Sequence, residues 1–183
     1  MLLEFSTFHR FPVPVWTFDS VFSANILRVL CWTITDLCCT DQSAAAETLL
    51  KLIATPYPAP ATSPPHPIDA SHVARLYKTL LQGGHYNKSS KSITKPSSAF
   101  SSSTFASSFL TVVGRDVTVA MAQGNGAFVV AELCRRISME GTDEEKRSLR
   151  TWFAEDSVDK NIRGKEMKGK KVLLESIDAL PSA

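Results

Sequence analysis

The sequence predicts an all-α protein whose helices are joined as pairs that stack into a solenoid. Three observations predict it. Apolar residues recur at helical spacing, most clearly Val73, Leu76, Tyr77, Leu80 and Leu81, and again Val129, Val130 and Leu133. Start and stop signals bracket those stretches: Asp69 before the first, Gly83-Gly84 after it, and Gly124-Asn125-Gly126 before the second. Strand signals are few, and the alternation Val117-Thr118-Val119 is too short to found a sheet. Helix pairs bury their apolar faces by stacking. No clear period is visible in this chain, so any repeat is degenerate.

The elements follow in chain order. Pro12 and Pro14 break any helix over residues 1–15, which read as extended or disordered. Residues 17–39 form an apolar helix or stay unstructured, because β-branched residues interrupt the pattern. Ser43 to Ala54 is a helix with Ser43 as its cap, Glu47 near the first turn and Leu49, Leu50 and Ile53 buried. Six prolines between Pro56 and Pro67 exclude helix and central strand and make a stiff connector. The same stretch also fits an SH3-type ligand. Asp69 caps the next helix, which Gly83-Gly84 stops. Residues 87–104 are rich in Ser and Lys and read as a solvated, mobile loop. Phe105, Phe109, Leu110 and Val113 mark a helix closing near Gly114, and residues 116–122 a short helix or turn. Helices then cover 126–139, 143–155, 157–163 and 169–179, with Thr142 and Glu145 as a capping box. The expected domains are a divergent segment 1–42, a helix and Pro-rich connector 43–68, and a helical domain 69–180.

Composition narrows the function. The net charge of +2 hides an asymmetry: residues 1–69 carry −3 and residues 70–183 carry +5. A basic second half hints at an anionic partner. Cys31, Cys38, Cys39 and Cys134 lack the spacing of metal knuckles and are expected as free thiols. His9, His66, His72 and His85 lie apart, with no ligand-type partner at i+3 or i+4. No membrane span, metal, cofactor or small-molecule substrate is expected. No Gly-x-Ser-x-Gly elbow, Walker pair or complete dinucleotide fingerprint is present. The acidic run Asp143-Glu144-Glu145 suits a helix N-terminus. The chain is therefore read as a binding protein and not as an enzyme.

Basic residues carry more weight. Arg163, Lys165, Lys168, Lys170 and Lys171 lie within nine residues, opposed only by Glu166. Clustered cations suit phosphate backbones, because each neutralised phosphate releases condensed counterions. A solvated turn between two helices explains the same cluster. Arg135 and Arg136 add charge nearby, and Lys88, Lys91 and Lys95 form a candidate arm. Tyr77, Tyr86, Phe128 and Trp152 are candidates for stacking on bases, although helical aromatics are commonly core.

Three phrases then carry a resemblance: Ala74-Arg75-Leu76-Tyr77-Lys78-Thr79-Leu80-Leu81-Gln82-Gly83-Gly84-His85-Tyr86, the run from Ala120 through Gly124-Asn125-Gly126-Ala127-Phe128-Val129-Val130-Ala131-Glu132-Leu133, and Lys168-Gly169-Lys170-Lys171-Val172-Leu173-Leu174-Glu175. From about Asp69 to Leu180 the chain resembles the CPL domain, the C-terminal region of Penguin-like Pumilio (Puf) proteins. Ser43 through Pro60 is similar to the lead-in to that domain. The resemblance implies an armadillo-like, Puf-type helical-repeat solenoid fragment in the nucleus and nucleolus. It implies RNA as partner, and double-stranded nucleic acid, bound with little sequence preference. It also implies pre-ribosomal particles, large-subunit assembly and translational regulation.

Gly126 to Ala131 aligns with the Puf pattern Gly-Asn-Tyr-Val-Val-Gln. Phe128 then matches the stacking position, and Ala127 and Ala131 match the two positions that read base edges. Alanine has no donor or acceptor for a base edge. Binding here is expected through backbone phosphates and shape. The nucleic-acid candidates are Arg163, Lys165, Lys168, Lys170, Lys171, Arg135, Arg136 and Phe128. Residues 1–40 depart from the family pattern, as in a chain truncated at its N-terminus, with 17–39 either a makeshift cap or disordered. The alternative function is a helical protein-interaction scaffold that makes no RNA contact in this segment.

Overall fold

The computed structural model describes residues 42–94 and 100–181, so the expectations for residues 1–41 lie outside it. Helix α1 (Gln42–Ile53) starts one residue before the expected cap, which puts Ser43 inside the first turn. Ala46, Leu50 and Ile53 are its buried residues. The prolines then exclude regular structure up to a single 3-10 turn, Pro67–Asp69.

That connector is pinned to the core by His66, which is 2 % exposed. The Ile68 amide donates to its Nδ1 at 3.2 Å, and its Nε2 lies 3.2 Å from the Ile53 carbonyl. With Nδ1 accepting, the proton sits on Nε2 and is donated to Ile53. The Tyr57 ring meets the imidazole edge-on, with centroids 5.1 Å apart.

Helix α2 (Ser71–Gln82) departs from expectation at its start. Asp69 closes the 3-10 turn instead of capping α2, whose cap residue, Ala70, offers no side-chain acceptor. The Asp69 carboxylate accepts instead from the Tyr57 hydroxyl at 3.1 Å and from Asn125 Nδ2 at 2.9 Å. Two donors from distant segments thus outcompete a local cap. Gly83, with φ +76°, ends α2 in the left-handed region as expected.

The loop expected over 87–104 contains a hairpin. Strands β1 (His85–Asn87) and β2 (Ser92–Thr94) pair antiparallel, with Tyr86 opposite Ile93. Helix α3 (Ser102–Ala122) starts at the Ser101 cap, where the Thr104 amide donates to the hydroxyl, and is broken at Gly114. It is the one described helix long and apolar enough to cross a membrane. Its Phe105, Ala106, Phe109, Val113, Met121 and Ala122 are instead buried within the protein, and Arg115 and Asp116 interrupt its middle.

Four helices complete the fold: α4 (Ala127–Glu140), α5 (Asp143–Ala154), α6 (Asp156–Gly164) and α7 (Lys170–Asp178). The Thr142–Glu145 capping box forms as expected. Burial raises the Glu145 carboxyl, but hydrogen bonds from Ser107 and Thr142 outweigh it and leave the group below its usual range. Cys134 lies fully buried in α4 as a free thiol, pushed up to about 12 by burial.

α4 is the centre of the packing, with α2 on one side and α7 on the other. Contacts along its length fix the directions. The Asn125 side chain meets Asp69 ahead of α2, Gln82 donates to Glu132 at 3.0 Å, and Arg136 donates to the Leu81 carbonyl at 3.0 Å. Phe128 lies against Gly169 ahead of α7, and Ser138 donates to the Ala179 carbonyl at 3.0 Å at its end. α2, α4 and α7 therefore form one row of parallel helices. Ser107 contacts Glu145, and Arg115 pairs with Glu155, so α3 and α5 are parallel behind that row. α1 packs on α3. The all-α expectation holds, with one short hairpin added.

Candidate nucleic-acid interface

The turn before α4 is fixed by close approach. A Cβ on Gly124 would run into the Tyr57 hydroxyl, which accepts from the Asn125 amide at 3.1 Å. α4 then begins with Ala127 and leaves a narrow stripe open: Phe128, Arg135 and Met139, at helical spacing. Between them Ala131 is 2 % exposed and Glu132 is held by Gln82.

Phe128 is 41 % exposed, so this aromatic is not core. Its neighbours come from both flanking helices. Lys78 Nζ of α2 stands 5.7 Å from the ring centroid, within cation–π reach. On the α7 side the ring rests on Gly169, where an added Cβ would come within 3.1 Å of it. Gly169 has φ +88°, a conformation that suits glycine. Ala127 and Ala131 are buried methyl groups, so α4 offers no hydrogen-bonding group at the edge-reading positions.

The structure divides the basic candidates. Arg163 donates to Asp159 at 2.7 Å and lies 3.8 Å from Asp178. Lys165 donates to the Gln123 carbonyl at 2.8 Å, tying the loop before α7 to the end of α3. Lys170 donates to the Arg163 carbonyl at 2.6 Å and to Glu166 at 3.3 Å. Arg136 caps the end of α2 through the Leu81 and Gln82 carbonyls and pairs with Glu140. These four cations hold the fold together. Lys168 and Arg135 are exposed and have no hydrogen-bond or ion-pair partner among the described residues. Lys171 is exposed, with Glu175 at a loose 3.9 Å.

Lys170 and Lys171 occupy the first turn of α7, which lacks a side-chain cap and any acidic residue. The helix dipole disfavours cations there. Lys170 is held there by the Arg163 carbonyl and Glu166, whereas Lys171 has only the loose pair with Glu175.

Of the other aromatic candidates, Tyr77 is core: its hydroxyl donates to the Leu49 carbonyl, and burial raises its pKa above 10.0. Trp152 packs half-buried against the core, while Tyr86 is exposed. Sequence reasoning missed Lys78. The signal was present, since Lys78 falls outside the apolar face of α2, but its meeting with Phe128 is non-local. An open groove lined by Arg115, Arg150, Thr151, Ala154 and Glu155 lies between α3 and α5. Its arginines are engaged, by Glu155 and by the Leu180 carbonyl. No cluster among the described residues could hold a metal ion.

A family model, the CPL (NUC119) domain, matches residues 15–91. That domain family is associated with Penguin and Pumilio proteins. The matched stretch contains the phrase Ala74–Tyr86 and begins well before the expected boundary at Asp69. The phrases around Gly126 and Gly169 lie beyond it. No curated protein and no solved structure shows significant similarity to the chain.

Proposed function

We propose that this chain is part of a Pumilio-related helical-repeat solenoid that binds RNA with little sequence preference. The row α2–α4–α7 is its repeat layer, since equivalent helices of successive repeats run parallel in such arrays. One observation carries the reading: Phe128 stands exposed between Lys78 and Gly169, where the chain continues into Lys168 and Lys171. An exposed ring among cations suits a stacked base with phosphates on either side. The two alanines leave no means of reading that base, which makes binding sequence-tolerant. Following the family resemblance, we assign the protein to the nucleolus, with pre-ribosomal particles as its partners, in large-subunit assembly and translational regulation.

The test is Lys168→Glu with Lys171→Glu, leaving Lys170 to hold its loop. Binding to a labelled oligouridylate is measured across a potassium chloride series. Losing two phosphate contacts should lower the salt slope by about 1.4, at ~0.7 per contact for single strands. Unchanged affinity and slope would exclude this surface. A second reading, a protein scaffold without RNA contact, is favoured by Met139 and Val172, which are 64 % and 46 % exposed. Protein partners surviving nuclease treatment, with no RNA affinity in the purified chain, would select it.

A further inference from the structure

From the hairpin β1–β2 and its basic turn we infer a second RNA contact, separate from the helical row: Lys88 and Lys91 hold phosphates and Tyr86 stacks on a base. The inference rests on the RNA-binding reading above.

Three observations lead to it. First, Tyr86 and Ile93 are opposite each other in the pairing register, so they share one face of the hairpin. They are 48 % and 37 % exposed. A two-stranded hairpin is marginal by itself, and a pair left half in water stabilises it only weakly. Second, the flanking sequence is cationic. From Ala70 to Arg115 the chain has no aspartate or glutamate, yet carries Arg75, Lys78, Lys88, Lys91, Lys95 and Arg115. Lys88 and Lys91 are exposed and have no ion-pair partner among the described residues. That charge selects a polyanion over a protein strand as the occupant of the Tyr86 face.

Third, Lys91 has φ +49°, in the left-handed region that favours glycine or asparagine. The turn itself is set elsewhere, by the Ser89 amide donating to the Asn87 side chain at 2.9 Å and by the Ser90 and Ser92 hydroxyls 2.7 Å apart. Lysine is a poor choice for this backbone, so the fold does not account for it. Its charge does.

The placement fits the row. The hairpin follows directly from the C-terminal end of α2. At that edge Arg136 is already engaged by the Leu81 and Gln82 carbonyls and by Glu140, which leaves the hairpin lysines as the free cations among the described residues there.

The experiment uses the full chain, an oligouridylate and a salt series. Lys91→Gly should leave the melting temperature unchanged or higher, because glycine suits the turn. It should weaken RNA binding about threefold to tenfold and lower the salt slope by about 0.7. Tyr86→Phe should bind as wild type, and Tyr86→Leu should lose roughly tenfold, because stacking needs a ring and not the hydroxyl. The row variant Lys168→Glu/Lys171→Glu runs in parallel. Hairpin variants that bind as wild type, beside a weakened row variant, would overturn this inference and leave the RNA reading standing. A wild-type chain that does not bind oligouridylate would overturn both. Loss of a nuclease-resistant protein partner on Tyr86→Leu, at unchanged RNA affinity, would assign the face to protein.

Discussion

Gly169→Ala tests the geometry on which the interface depends. Two penalties are visible in the structure. The backbone at Gly169 has φ +88°, where an L-residue costs about 1–2 kcal/mol. The new methyl would also come within 3.1 Å of the Phe128 ring, and a crowded contact of this kind costs about 1–3 kcal/mol. Their sum is about 3 kcal/mol, or roughly 6–12 °C in melting temperature for a chain of this size. The two penalties separate in a double-mutant cycle with Phe128→Ala, which removes the ring and leaves only the backbone term. Coupling of about 1–2 kcal/mol should appear between the two sites. Gly164→Ala is the control: nothing lies within 4 Å of its added methyl, and its φ is not positive. That change should be neutral or stabilise by about 0.5 kcal/mol, as for glycine replaced in a helix. Thermal unfolding by circular dichroism reads all four variants. Equal cost of Gly169→Ala with and without the ring would mean that Phe128 does not rest on Gly169. The arrangement of α4 against α7 would then be wrong.

Two further outcomes follow from the same contacts. Arg135 and Arg136 are neighbours with opposite roles. Arg136→Ala should cost about 2 kcal/mol in urea unfolding through three lost charged hydrogen bonds. Arg135→Ala should stay within about 0.5 kcal/mol but weaken RNA binding by a fewfold; the reverse pattern would contradict the assignment. Burial raises the phenols of both Tyr57 and Tyr77 above 10.0. The folded chain thus keeps them protonated longer than the unfolded chain does. Their contribution to stability is complete below pH 10 and is lost as pH rises through the folded values. Tyr77→Phe should flatten this alkaline loss in denaturant titrations, at a cost of about 1 kcal/mol near neutrality for the bond to Leu49. An unchanged alkaline slope would refute it.

What the sequence revealed of the fold is what short-range physics decides. The apolar stripe of α2, the Gly83 stop, the Thr142–Glu145 capping box and the break at Gly114 each depend on residues within a turn or two, and each appears where the spacing predicts. The departures come from distant partners. Asp69 has the chemistry of a cap, but Tyr57 and Asn125 offer it better bonds. His66 reads as a scattered histidine until the Pro-rich connector folds back and both ring nitrogens find partners. The Ser/Lys stretch reads as loop because its strands are three residues each, too short for an alternation to register. The candidate site was legible in the same uneven way. Phe128 is identifiable from its phrase, whereas Lys78 reaches it only because α2 and α4 run parallel.

That parallel arrangement also explains why a count of positive charges is a poor guide to the binding surface. Helices packed in a parallel row join through loops that must be fastened across it, and long cationic side chains do this well, since they reach backbone carbonyls at helix ends where the dipole is negative. Arg136, Lys165, Lys170 and Arg150 are all used so, each donating to main-chain oxygen of another segment. Such residues have their donors and their charge already engaged, and reversing them would damage the fold before it reported on any ligand. The cations that fit a phosphate chain are those the fold leaves over: Lys168, Lys171 and Arg135 beside the row, and Lys88 and Lys91 on the hairpin. In sequence the two sets are interleaved, with Lys168 and Lys170 separated only by Gly169. Mutagenesis of the whole basic cluster would therefore mix unfolding with loss of binding, while variants confined to the second set read binding alone.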